Sequence, residues 1–117
     1  MKRVLLLALA AGTFVFADAT GIWTGTLAPS DAAAGPAHLV LKQEGEKLTG
    51  TAGPDPTEQH PIENGKADGG NLVFELSTPA GVMKFTLKQK GDEITGDVVR
   101  ERGGQTQTAK LAVKRTK

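Results

Sequence analysis

The chain has 117 residues, with 14 Lys and Arg against 13 Asp and Glu, and no cysteine. That length suits one domain, the near-balance of charge excludes a nucleic-acid footprint, and the missing cysteines exclude a disulfide framework. Four Phe, one Trp and no Tyr also argue against the exposed ring platforms that sugar and single-strand binders use.

Met1 to Ala17 reads as a cleaved secretory signal peptide. Lys2 and Arg3 form a basic start, Val4 to Phe16 is uncharged and apolar, and Val15-Phe16-Ala17 suits signal peptidase. The stretch is short for a membrane span, and polar sequence follows at once. The mature chain is expected to start near Asp18 and to be secreted or periplasmic, with no membrane-embedded part. Without Lys2 and Arg3, 12 basic residues face 13 acidic ones, formally −1.

From there the chain alternates apolar and polar residues in short runs, and no apolar spacing of helical period follows residue 17. With 15 Gly and 6 Pro this is an all-β pattern. The first strand is Gly21 to Leu27, with Trp23, Gly25 and Leu27 on one face. Ala28 to Pro36 is a loop. Ala37 to Glu44 follows, with Leu39 and Leu41 inward and His38, Val40 and Lys42 outward. Glu46 to Gly53 turns Leu48, Gly50 and Ala52 inward.

Pro54 to Pro61 contains three prolines and is expected to be an irregular loop. Ile62 to Asp68 is a weak strand, with a bulge or turn at Asn64-Gly65. The last four strands are Asn71 to Thr78, Val82 to Lys90, Glu93 to Glu101 and Thr106 to Arg115. They turn Leu72, Phe74, Leu76, Met83, Phe85, Leu87, Ile94, Val98, Leu111 and Val113 inward.

A ten-residue stretch occurs twice. Leu41-Lys42-Gln43-Glu44-Gly45-Glu46-Lys47-Leu48-Thr49-Gly50 returns 46 residues later as Leu87-Lys88-Gln89-Lys90-Gly91-Asp92-Glu93-Ile94-Thr95-Gly96. Each copy reads as a hairpin turning at Gly plus an acidic residue. The matched Lys-Gln and Thr-Gly flanks exceed what the turn demands.

Eight strands joined by local turns predict an eight-stranded antiparallel up-and-down β-barrel. A β-sandwich built from the same meander is the alternative. In the barrel, the turns at Gly45, Gly69-Gly70 and Gly91 form a closed end, where Trp23 meets Arg115. The other four connections form a mouth.

Gly21-Ile22-Trp23 resembles the Gly-x-Trp signature of the calycin barrels, the lipocalins and avidins, and Thr49-Gly50-Thr51 also looks avidin-like. The opening is similar to that of small secreted bacterial Gly-x-Trp domains. In lipocalins the Trp plugs the closed end under a basic residue from the last strand. The resemblance therefore implies structural roles for Trp23 and Arg115. The chain is shorter than typical lipocalins, lacks their C-terminal helix, and lacks avidin's set of tryptophans. The resemblance thus implies a fold and no particular ligand.

Chemistry is sparse. His38 and His60 fall near the mouth, but their spacing with Asp55 or Glu58 matches no metal motif, and no nucleophile elbow supports a hydrolase. No metal or other cofactor is expected, and the chain is read as a non-enzyme. Arg100 continues an inward series and faces Met83, which suits an anchor for a carboxylate head group. The expected ligand-binding residues are Arg100, Met83, His38 and His60.

The expected partner is a small apolar or amphipathic ligand held at the mouth. Fifteen large inward residues could instead fill the barrel. The chain would then be a protein-interaction module or an inhibitor of a secreted or periplasmic enzyme.

Overall fold

A computed structural model describes residues 18–117 apart from Ala80 and the side chain of Arg102. The expected leader lies outside the described residues. The chain forms eight strands: β1 Gly21–Pro29, β2 Gly35–Glu44, β3 Lys47–Asp55, β4 Glu58–Asp68, β5 Asn71–Thr78, β6 Gly81–Lys90, β7 Glu93–Arg102 and β8 Gln105–Arg115. Each pairs antiparallel with the next, and β1 also pairs with β8, which closes the barrel. The up-and-down barrel is therefore the architecture, and the sandwich is not. Closure leaves no unpaired edge, which suits a small chain without disulfides.

Strand alternation sorts the side chains. Trp23, Leu39, Leu41, Leu48, Leu72, Phe74, Leu76, Phe85, Leu87, Ile94, Val98, Leu111 and Val113 are all buried. No polar or charged residue among those described is buried, so the interior carries no desolvated charge to compensate. Phe74 and Phe85 sit opposite each other on β5 and β6. Their rings stack at 4.5 Å between centroids, a favourable offset-type arrangement.

The turns explain the glycines. Gly45 and Gly91 each begin a two-residue turn, with φ +64° and +60°, as type II′ hairpins require. Gly69-Gly70 and Gly103-Gly104 each have both φ values positive, the pattern of type I′. The Thr-Gly that ends each repeat has a different reason. A Cβ on Gly50 would lie 1.9 Å from the Val40 carbonyl oxygen, and one on Gly96 would lie 2.3 Å from that of Thr86. Val40 and Thr86 are themselves 46 residues apart, so the repeat reproduces a close backbone approach as well as a turn.

Two connections differ from expectation. Pro54 to Pro61 is not an irregular loop. β3 and β4 extend through it and pair Asp55 with Glu58 across a turn at Pro56-Thr57. The prolines fit because the pairing is irregular there, with register shifts between Lys47 and Thr51 and between Ala52 and Asp55. The first loop is also shorter than expected, because β1 runs to Pro29 and β2 begins at Gly35. The bulge at Asn64-Gly65 is present: the register shifts between Glu63 and Lys66, and Asn64 has φ +54°.

Candidate functional site

The two ends of the barrel are built differently. At the closed end Trp23 is fully buried, and the Arg115 guanidinium carbon lies 4.4 Å from its ring centroid. This is a cation–π contact in which the guanidinium covers the indole face. Strand pairing enforces it, since Trp23 and Arg115 are register partners.

A short segment ahead of β1 completes this end. Ala19 is fully buried, and its carbonyl accepts from Trp23 Nε1 at 2.9 Å. The indole N–H is thus satisfied inside the core, as a buried Trp requires. Arg115 donates to the carbonyls of Thr20 and Asp18 and to Asp92 Oδ1.

At the other end lies a cavity of about 390 Å³. That volume falls in the range of small-molecule sites. Its walls are largely apolar and include Leu27, Leu39, Leu76, Met83, Phe85 and Leu111; its polar members are Glu58, His60 and Thr78. The large inward residues therefore do not fill the barrel at its mouth. The small side chains of Ala37 and Ala52, also on the wall, leave room between the larger ones.

The four residues expected at the mouth separate. Met83 and His60 line the cavity. His60 points inward because it pairs with Ala52, a buried residue of β3. His38 is on the outer face of β2, between buried Ala37 and Leu39, and is not among the residues lining the cavity.

Arg100 pairs with Met83 across β6 and β7 and lines a smaller adjoining cavity of about 60 Å³. Leu27 and Met83 line both cavities. The guanidinium is already engaged: Nε donates to Gln107 Oε1 at 3.0 Å, and Nη2 donates to the same oxygen. Gln107 in turn donates to Asp31 Oδ2 at 3.4 Å. Among the described residues Arg100 makes no ion pair.

Glu58, which the sequence offered only as a metal-site carboxylate matching no motif, is a wall residue of the cavity. The tip of that hairpin is ordered by Asp55. Its Oδ1 accepts from Thr57 Oγ1 at 2.7 Å and from the backbone N–H groups of Thr57 and Glu58, each at 2.9 Å. The Thr57 hydroxyl first, with the backbone donors, holds the Asp55 carboxyl below its ordinary value. Gln59 locks the outer side of the same hairpin, accepting from Thr51 Oγ1 at 2.7 Å and donating to the carbonyls of Asp55 and His38.

Among the described residues, no group of three or more His, Cys, Asp or Glu is placed to hold a metal ion. No family model, curated protein or solved structure matches the chain.

Proposed function

We propose that this is a secreted or periplasmic, non-catalytic binding protein of calycin-like type that holds a small apolar or amphipathic molecule at the open end of its barrel. The observation that carries the reading is the largely apolar cavity of about 390 Å³ at the mouth. An unfilled apolar space in a barrel this small forgoes packing energy that extra methyl groups would supply. Its few polar groups, Glu58, His60 and Thr78, would orient a ligand whose body is apolar. Met83 is a flexible, adaptable wall residue. The closed end supports the calycin-like reading, since Arg115 covers Trp23 there.

The test is binding of N-phenyl-1-naphthylamine, a neutral fluorophore that brightens in apolar surroundings. The native chain is expected to enhance its emission saturably. Met83→Trp, which fills the cavity from a half-exposed position, is expected to lose most of that signal while keeping a cooperative thermal transition. Equal enhancement by both proteins would remove the cavity reading.

A protein-interaction module or enzyme inhibitor is the second reading. The ordered β3–β4 hairpin favours it, because Asp55 and Gln59 hold its tip in one conformation ready for a partner. Survival of partner binding in Met83→Trp, with no fluorophore binding by the native chain, would select this reading.

A further inference from the structure

Resting on the ligand-binding reading, we infer that the molecule held at the mouth is a cationic amphiphile, an apolar body carrying an ammonium or comparable positively charged head. The charged side chain on the wall of the large cavity is Glu58, and among the described residues no Lys or Arg lines it. Glu58 is exposed on the wall, and Asp55, its register partner at the same hairpin tip, is a second exposed carboxylate next to it, outside the cavity lining. Asp55 is held ionised by the donors of Thr57 and Glu58.

The remaining polar wall groups are His60 and Thr78, and neither is a permanent cation as Lys and Arg are. Thr78 donates its hydroxyl to the Gly81 carbonyl at 3.0 Å. Arg100 lines the adjoining smaller cavity and turns Nε and Nη2 onto Gln107. The chain of Arg100, Gln107 and Asp31 also places a third carboxylate behind that guanidinium. An apolar pocket with a carboxylate at its rim favours the ligand that leaves its chain in the pocket and its positive end at the rim. An anionic head would meet Glu58 and Asp55 as like charges.

The experiment is calorimetric titration of the native chain with three probes of one chain length, each below its micellar concentration: decylamine, decan-1-ol and decanoate. At neutral pH the alkylamine is charged, as a lysine is. Decylammonium is expected to bind tightest and decanoate weakest, with about tenfold or more between them at low salt. The spread should shrink as salt is added. In Glu58→Gln, whose side chain is exposed and whose backbone N–H to Asp55 is retained, the advantage of the amine over the alcohol is expected to fall several-fold.

If decanoate binds as well as decylammonium or better, the cationic head is excluded while the cavity stands, and Arg100 becomes the anchor. If Glu58→Gln leaves the amine's advantage intact, Glu58 does not select the head. If none of the three binds, the ligand-binding reading itself fails.

Discussion

Gln43 and Gln89 occupy the same position in the two copies of the repeat, and they grip consecutive residues of the same segment. Gln43 Oε1 accepts from the Ala19 N–H at 2.8 Å, and Gln89 Nε2 donates to the Asp18 carbonyl at 2.9 Å. Each also donates back to the glycine of its own turn, Gly45 at 2.9 Å and Gly91 at 3.1 Å. Two hairpins thus clamp the strap that buries Ala19 under the barrel. Gln43→Ala and Gln89→Ala are each expected to cost about 1–2 kcal/mol. The double variant should expose the strap to proteolysis before the barrel unfolds. Denaturant unfolding and limited digestion would read the two effects.

Trp23 depends on that strap for its hydrogen bond and on Arg115 for its cover. Trp23→Ala should destabilise by roughly 3–5 kcal/mol, as expected for a buried aromatic. Arg115→Ala should cost about 2 kcal/mol through its carbonyl contacts and the indole. Asp92, whose side chain is 80 % exposed, should contribute within about 0.5 kcal/mol, so Asp92→Asn is nearly silent. Chemical denaturation of the three variants gives the ranking. A loss below about 1 kcal/mol for Trp23→Ala would contradict the burial of its ring.

Gly50 and Gly96 can be separated from glycines that merely turn the chain. Alanine at either would press on a backbone carbonyl of the preceding strand and is expected to cost roughly 2 kcal/mol or more. A methyl group added at Gly35 would meet nothing within 4 Å, and the backbone there has no positive φ. Gly35→Ala should therefore be neutral or slightly stabilising. Melting temperatures of the three variants test the contrast.

Asp55 gives the mouth a defined acid response. Its folded value is lowered, by the Thr57 hydroxyl first and by backbone donors after it. The carboxylate therefore contributes stability that is complete above its ordinary value of 3.8. That contribution is lost as pH falls through the lower folded value. Asp55→Asn should melt below the native chain at pH 7, and the gap should close as pH falls through the lowered folded value. A gap unchanged at low pH would mean that hydrogen-bond geometry, and not charge, accounts for the effect.

Much of the architecture was legible before the structure. Alternation at Leu39, Leu41, Phe74, Leu76, Phe85 and Leu87 set the inward face. The paired turns at Gly45 and Gly91 set which end is closed, and the register then brings Trp23 to Arg115. The role of Gln43 and Gln89 was not legible, although their recurrence was. Their partners lie 24 and 71 residues away, and no local pattern encodes such contacts.

The stretch from Pro54 to Pro61 misled because proline argues against regular pairing, and the register shifts that tolerate it are invisible in one strand alone. That error left Glu58 as a carboxylate without a metal motif and hid its place on the cavity wall. The cavity was also beyond reach, because counting fifteen apolar residues does not give the volume left between Ala37, Ala52 and Met83. Alternation did place His38 on the outer face, and position along the strand alone suggested the mouth.

We propose that a small molecule occupies the apolar space at the mouth. The most direct measurement is an amide-resolved NMR titration of the native chain with decan-1-ol, a neutral probe that does not depend on the charge of the head. Saturable shifts are expected at Ala37, Ala52, His60 and Leu76, with the amides around Trp23 and Arg115 unmoved. Shifts spread over exposed Val40 and Val73 on the outer face, or none at all, would contradict it.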